Sequence, residues 1–234
     1  MHELNGRVAV VTGAAGNLGR AVAAAFEAAG AKLALVDRSL EALENIYGEG
    51  PTRLPLVADL TSEAAVAEAV AQAVEHYGRI DVLVNVAGGF RMGPPLHETP
   101  VETWDFMLDL NAKSAFLMAR ATVPHMLAQG YGRIINVSAR AAVQPKGWMV
   151  PYCVSKAAVL TLTEGLAAEH RSDGITVNCI LPGTIDTPQN RADMPDADWG
   201  KWVPPAALAE VALFLASDAA QHVNGAAIPV YGAS

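Results

Sequence analysis

Short, solidly apolar runs alternate with longer mixed segments along nearly the whole chain. The runs show no in-out alternation of apolar and polar residues, which is typical of strands that are covered on both faces. The first run is short, rich in β-branched residues and followed by a glycine-rich turn; the second ends at Asp37, and Asp59 follows the third. The pattern predicts strands at residues 7–11, 32–36, 53–57, 80–84, 132–137, 176–180 and 226–230.

The segments between these runs predict helices. They lie at residues 17–29, 40–47, 100–126, 151–170 and 204–217, with a further alanine-rich helix that Thr61 or Ser62 caps and that reaches about His76. Strict alternation of strand and helix predicts an α/β fold with a doubly wound parallel sheet of about seven strands. Because no repeat or linker interrupts it, we expect one Rossmann-type domain over residues 1–234.

Three irregular stretches interrupt the alternation, at residues 87–99, 139–150 and 182–203. Each follows the carboxyl end of a predicted strand, and ligands of doubly wound sheets bind at that edge. The longest stretch is rich in Pro, Asp and Trp. We therefore expect a substrate lid at about residues 184–203.

Composition narrows the possible partners. A net charge of −8 argues against nucleic acid or an anionic membrane surface, which leaves a small-molecule substrate as the expected partner. No apolar run is long enough to span a membrane and the first residues lack a signal core, so we expect a cytoplasmic protein. Cys153 and Cys179 lack metal-ligand spacing and are expected to be reduced, buried thiols. No cluster of acidic residues and histidines suggests a metal.

A glycine-rich turn, Thr-Gly-Ala-Ala-Gly-Asn-Leu-Gly at residues 12–19, follows the first strand. Glycines let the backbone approach a pyrophosphate at the start of the next helix, although such turns are often purely structural. Asp37 ends the second strand, where a carboxylate accepts hydrogen bonds from ribose hydroxyls and repels a 2′-phosphate. The glycine-rich turn together with Asp37 therefore favours NAD over NADP as the cofactor. Arg38 leaves NADP as an alternative cofactor, since a guanidinium at that position could bind the 2′-phosphate.

Tyr152 and Lys156 stand four residues apart on a predicted helix, so they share a face. A nearby lysine cation favours tyrosinate and would bring the tyrosine pKa towards a useful range. Alone, the pair would equally suit an ordinary helix surface. Ser138, which ends the fifth strand, could donate to a substrate carbonyl, and Asn111 lies in the long helix after the fourth strand.

In order and spacing these motifs resemble the short-chain dehydrogenase/reductase family over nearly the whole chain. The resemblance implies that Tyr152 is the general acid/base and that Ser138 orients the carbonyl or alcohol. It implies that Lys156 binds the nicotinamide ribose and lowers the tyrosine pKa, and that Asn111 holds a water in a proton relay. The residues that carry it are the turn at 12–19, Asp59-Leu60, residues 85–88, Asn111, Ser138, Tyr152, Lys156 and Pro182-Gly183.

The same resemblance assigns the contacts of the cofactor. It implies that Asp59 and Leu60 flank adenine, that residues 85, 87 and 88 line the path from adenosine to nicotinamide, and that Pro182, Gly183, Ile185 and Thr187 hold the carboxamide. The implied set is Gly13, Gly16, Asn17, Leu18, Gly19, Asp37, Arg38, Asp59, Leu60, Asn85, Ala87, Gly88, Tyr152, Lys156, Pro182, Gly183, Ile185 and Thr187.

This chain departs from the common family pattern in three places. Asn17 stands where a glycine is usual, and Gly16 supplies the middle glycine. Asn85-Val86 replaces a pair of asparagines, and the spacing of Ser138 and Tyr152 is one residue longer than usual.

The substrate is less constrained. Candidate pocket residues in the irregular stretches are Phe90, Gln144, Trp148, Met194 and Trp199, which suit an apolar or aromatic ligand or else simply pack the lid or a subunit interface. The lid resembles that of quinonoid dihydropteridine reductases, but Ser138 departs from them. 3-Oxoacyl-carrier-protein reductases are similar in overall pattern, yet they usually prefer NADPH, which suits Asp37 poorly.

The sequence thus predicts an oxidoreductase that transfers hydride between NAD(H) and a carbonyl or secondary alcohol. The alternatives are a quinonoid dihydropteridine-type or 3-oxoacyl-carrier-protein-type reductase and, from another class, a nucleotide-sensing module without turnover. The resemblance further implies a homotetramer or homodimer, with the helices at 100–126 and 151–170 at the interfaces.

Overall fold

The computed structural model describes residues 3–48 and 50–233. Its seven strands form one sheet in which all neighbouring strands run parallel. This confirms the predicted doubly wound α/β fold. The strands are β1 Val8–Thr12, β2 Lys32–Asp37, β3 Arg53–Val57, β4 Val82–Asn85, β5 Gly132–Val137, β6 Ile175–Pro182 and β7 Ala227–Val230.

Helices connect successive strands, as expected of parallel neighbours. Ser39 and Ser62 cap two of them, each accepting a hydrogen bond from the backbone N–H three residues later. The helices are α1 Asn17–Ala28, α2 Leu40–Tyr47, α3 Glu63–Tyr77, α4 Val101–Leu108, α5 Ser114–Gln129, α6 Val150–Glu169, α7 Pro188–Asp193 and α8 Pro205–Ala216.

Both faces of the sheet are buried along its central strands β1, β4, β5 and β6, which explains their largely apolar runs. Successive side chains of a strand point to opposite faces. Ala9 and Val11 accordingly pack with α1 and α8, whereas Val10 between them packs with α3 and α5. Each such buried valine stabilises the fold by about 1.5–3 kcal/mol.

The strand order is β3-β2-β1-β4-β5-β6-β7, so the connections change direction between β1 and β4. Thr12 at the end of β1 pairs in register with Asn85 at the end of β4. In doubly wound sheets the crevice at the carboxyl ends of such a strand pair is the ligand site. The topology therefore singles out the edge where the glycine turn and residues 85–88 meet.

The long helix predicted at residues 100–126 is found, but it is not a regular α-helix throughout. α4 ends at Leu108, a π-helical turn spans Asp109–Lys113, and α5 runs on to Gln129. The wider turn carries Asn111, whose amide bonds to Gly89 and Ser155. An extra residue in one turn leaves little trace in a hydrophobic period, and π-turns are frequent at functional sites.

The stretch expected to be an irregular lid is largely ordered. Thr187 caps α7 by accepting from the Asn190 N–H at 3.1 Å, and Arg191 forms a two-pronged ion pair with Asp186. Trp202 is buried, and its ring centroid lies 6.5 Å from that of Trp199. Among the described helices, none is both long and apolar enough to cross a membrane.

Candidate active site

A groove of about 590 Å³ lies at the switch point of the sheet. It is bounded by the glycine turn, the ends of β2 and β3, the loop after β4, and α4. The sequence-predicted residues that line it are Gly13, Gly16, Asn17, Leu18, Asp37, Arg38, Asp59, Leu60, Ala87, Gly88 and Thr187.

The glycine turn is packed too tightly for side chains at two positions. A Cβ on Gly19 would lie 2.1 Å from the carbonyl oxygen of Gly13, and one on Gly13, whose φ is +64°, would lie 2.9 Å from the Cα of Ala87. A Cβ on Gly16 would lie 3.3 Å from the carbonyl oxygen of Gly13, which is a much milder contact. Among the described residues no side chain caps α1, so its first N–H groups are left for an anion such as a pyrophosphate.

Asp37 presents a carboxylate held by two backbone donors. Its Oδ2 accepts from the Ala15 N–H at 2.9 Å and its Oδ1 from the Arg38 N–H at 2.8 Å. A carboxylate oxygen has more than one lone pair, so acceptors remain for a ribose diol. The anion cradle and this fixed carboxylate together fit an adenine dinucleotide.

Asp59 stands at the neighbouring strand end. It accepts from the backbone N–H and the hydroxyl of Thr61 at 2.9 and 2.7 Å, and these bonds lower the pKa of its carboxyl. The Asp59 carboxyl, which was predicted to flank adenine, is therefore ionised and held in place by the following turn.

Asn85 does not line the groove as expected. It is buried, and its Nδ2 donates to Asn136 Oδ1 at 2.9 Å, because the two residues face each other in register on β4 and β5. The turn after β4 is held instead by Thr12, whose hydroxyl accepts from the N–H groups of Val86 and Ala87, each at 3.1 Å.

The predicted carboxamide contacts lie along the end of β6. Pro182 is the last residue of that strand, Gly183 N–H donates to Val230 O at 2.9 Å, and Ile185 pairs with Val203. Of this set, Thr187 reaches the groove lining.

Ser138, at the end of β5, meets the helix that carries the tyrosine-lysine pair. Its hydroxyl donates to the carbonyl of Lys156 at 2.6 Å, and the Lys156 ammonium donates to the carbonyl of Val137 at 3.0 Å. Both side chains are buried. Two hydrogen bonds therefore join the end of β5 to the second turn of α6, one donated from each element.

Asn111 joins the same cluster from the π-turn. Its Oδ1 accepts from the Gly89 N–H at 3.0 Å, and its Nδ2 donates to Ser155 Oγ at 3.0 Å. A Cβ on Gly88 would lie 2.6 Å from Asn111 Oδ1 and 3.1 Å from Lys156 Nζ. Gly88 also lines the groove, so these polar atoms converge at one end of it.

Burial shifts the pKa values of Tyr152 and Lys156 in opposite directions. It raises the pKa of Tyr152 to about 12 and lowers the pKa of Lys156 to about 8. The family resemblance implied a lowered tyrosine pKa, and the direction in the chain itself is the opposite. The reason is that desolvation disfavours phenolate, while the lysine ammonium is directed to the carbonyl of Val137.

The lowered pKa of Lys156 makes stability rise with pH in a defined window. Above about pH 8 the folded state releases this proton, whereas the unfolded state retains it up to about pH 10.5. From pH 8 to 9.5 we therefore expect the Lys156 contribution to raise the free energy of unfolding by up to ~1.4 kcal/mol per pH unit.

The measurement compares urea unfolding of the wild-type chain and Lys156→Met across that range. Other titrating groups act on both chains, so the difference isolates Lys156. Identical pH slopes in the two proteins would contradict the prediction.

The five candidate substrate residues are not one cluster. Phe90 packs edge-on against Tyr152 with ring centroids 5.0 Å apart, and 54% of it is exposed. Trp148 has a left-handed φ of 57°, and its carbonyl accepts from the Gly93 N–H. Gln144 accepts from Arg140, whereas Trp199 donates to the carbonyl of Met194 within the lid. Among the described residues, Phe90 is thus the candidate whose ring contacts Tyr152, the predicted proton donor.

Several groove residues were not predicted from the sequence. Ala15, Ala58, Thr61 and Val86 neighbour predicted positions along the chain, and that adjacency was an available signal. No local signal marked Phe106 on α4 or Asp109 and Leu110 on the π-turn, which also line the groove.

Comparison with known proteins agrees with this geometry. The family model described as short chain dehydrogenase matches residues 7–198. The chain is 39% identical to 2-(R)-hydroxypropyl-CoM dehydrogenase of Xanthobacter autotrophicus, covering 97% of this chain and 98% of that protein. It is 36% identical to D-threitol dehydrogenase of Mycolicibacterium smegmatis, covering 98% and 93%.

A solved structure is similar over the same extent. The 3-ketoacyl-(acyl-carrier-protein) reductase of Brucella melitensis, complexed with NADH, superposes with a TM-score of 0.90 at 32% identity and covers 98% of each chain. Sequence, topology and site geometry lead to one conclusion: this chain belongs to the short-chain dehydrogenase family of oxidoreductases.

Proposed function

We propose that this protein interconverts a carbonyl compound and a secondary alcohol with NAD(H), and that Tyr152 is its general acid/base. The observation that carries the proposal is the position of Gly88, which lines the nucleotide groove and lies within contact distance of Asn111 and Lys156. It joins the proton-handling groups to the cofactor groove. Residues 184–203 would cover the substrate as a lid.

The preference for NAD is supported by Asp37. A fixed anion at the end of β2 accepts from a ribose diol and repels a 2′-phosphate. Arg38 also lines the groove but is exposed, so its charge is screened by water. The Brucella melitensis reductase described above was solved with NADH, which agrees with this preference.

The chemistry divides between cofactor and protein. A bound nicotinamide supplies or accepts the hydride. In reduction, Tyr152 donates its phenolic proton to the carbonyl oxygen, and a pKa near 12 keeps that proton in place at neutral pH. For this step the Ser138 hydroxyl turns from the Lys156 carbonyl and donates a hydrogen bond to the same substrate oxygen. The Lys156 ammonium has further N–H donors besides the one bound to the Val137 carbonyl, and it stabilises the phenolate that results. In oxidation the proton moves back to Tyr152.

A 3-oxoacyl thioester is a second candidate substrate, because a solved 3-ketoacyl reductase shares the fold at 32% identity. An acidic carrier protein would meet a chain of net charge −8, which disfavours docking. The dihydropterin alternative rests on the resemblance of the lid alone. Assembly as a homotetramer or homodimer and a cytoplasmic location stay predictions.

The decisive assay measures turnover of ketones, secondary alcohols, a 3-oxoacyl thioester and a quinonoid dihydropterin with NADH or NADPH. We expect carbonyl reduction, with kcat/KM for NADH about tenfold or more above that for NADPH, since a like-charge contact costs at least the ~1.4 kcal/mol that corresponds to a tenfold ratio. Asp37→Asn, which keeps the shape and removes the charge, should reduce that ratio to near one.

Three outcomes would redirect the proposal. Turnover of the dihydropterin alone would assign the pteridine class, and cofactor binding without any turnover would indicate a nucleotide sensor. A wild-type preference for NADPH would mean that Arg38 outweighs Asp37.

A further inference from the structure

One peptide unit of the glycine turn, between Ala14 and Ala15, is held at both ends by side chains from outside the turn. The Tyr47 hydroxyl donates to the carbonyl oxygen of Ala14 at 2.6 Å. The N–H of Ala15 donates to Asp37 Oδ2 at 2.9 Å. The carbonyl and N–H of a trans peptide point in opposite directions, so the two bonds together prevent its plane from rotating.

Tyr47 is itself anchored independently of the turn. It ends α2 and packs partly buried against the core face that contains α1. The Arg53 guanidinium donates to its carbonyl oxygen and also to both carboxylate oxygens of Glu27. Burial raises the pKa of Tyr47 to about 12, so the phenol keeps the proton that it donates.

We propose that Tyr47 is a positioning residue for cofactor choice, fixing the Asp37 carboxylate through the Ala14–Ala15 peptide in the orientation that accepts from a ribose diol. The inference rests on the proposed function, in which Asp37 selects NADH. It adds a residue of α2 whose phenol determines how well that selection works.

Removing the hydroxyl leaves the Ala14 carbonyl without its partner. The peptide can then turn that oxygen towards water, and the Ala15 N–H leaves Asp37 Oδ2. The carboxylate keeps its bond to the Arg38 N–H and is free to swing about it. Binding of NADH weakens, because its ribose diol loses fixed hydrogen-bond acceptors. Binding of NADPH is less affected, because a carboxylate that can move away repels the 2′-phosphate less.

The test is Tyr47→Phe in the full chain, because phenylalanine retains the ring's packing. Titration with NADH and with NADPH, followed by tryptophan fluorescence, gives both dissociation constants. We expect Kd for NADH to rise about five- to tenfold, the effect of one hydrogen bond, while Kd for NADPH changes less than about twofold.

Tyr77→Phe is a matched control. Tyr77 ends α3, and its hydroxyl donates to the carbonyl of Leu33 on β2 at 3.1 Å. The substitution therefore also removes a hydrogen bond from a tyrosine hydroxyl to a backbone carbonyl, but it leaves the glycine turn intact. The control should keep the wild-type ratio of dissociation constants. Thermal unfolding of both variants verifies that each is folded.

An unchanged ratio in Tyr47→Phe, or an equal loss for both cofactors, overturns the inference, since a merely structural role would affect both alike. A wild-type chain that binds NADPH more tightly overturns the proposed NADH preference first and the role of Tyr47 with it. The wild-type ratio therefore separates the two failures.

Discussion

Tyr152→Phe is expected to lower kcat/KM for carbonyl reduction by about 10³-fold, the scale of a lost general acid. The ring still packs against Phe90, but no proton is available at the carbonyl oxygen. Because the groove residues of the glycine turn are untouched, Kd for NADH should stay within about twofold of wild type. Steady-state kinetics and a fluorescence titration measure the two quantities.

Tyr131→Phe is the control for this variant. Tyr131 is a half-buried phenol whose pKa is also raised by burial, and it lies just before β5, at the opposite edge of the sheet. Its hydroxyl donates to Asp218, and its loss should leave turnover unchanged. Full activity in Tyr152→Phe would remove Tyr152 from the proposed chemistry.

Gly19→Ala is expected to weaken NADH binding by at least about 100-fold. The new Cβ would lie 2.1 Å from the Gly13 carbonyl oxygen and 2.8 Å from the Ala14 Cα, so the turn must open. Both neighbours are backbone atoms, which cannot rotate aside as a side chain does. Opening the turn also separates the pyrophosphate cradle from the start of α1.

Gly165→Ala provides the comparison. Gly165 also lies inside a helix, α6, but a Cβ there meets nothing within 4 Å. It should bind NADH normally and gain about 0.5–1 kcal/mol of stability from the better helix former. Normal NADH binding by Gly19→Ala would contradict the tight-turn explanation.

Local pattern was enough to predict the fold, because burial on both faces makes the central strands largely apolar. β1 illustrates this: Val10 and Val11 are neighbours in sequence but belong to opposite core clusters. Motif spacing likewise predicted the glycine turn, Asp37 and the cluster around Ser138 and Lys156, since each lies at a strand end or on one helix face.

Other features depend on contacts between distant segments, which spacing does not encode. The π-turn at Asn111 exists where that amide reaches Gly89 and Ser155, and the inward orientation of Asn85 follows from its register with Asn136. The raised pKa of Tyr152 is a result of burial among several elements.

By itself, the sequence determined the sheet, its helical layers and the chemical types of side chain at the carboxyl edge, because these follow from local periodicity and strand ends. Only the tertiary structure decided which backbone groups those side chains hold. The bond from Tyr47 to Ala14 spans 33 positions, and only the packing of α2 beside the glycine turn brings the two groups together.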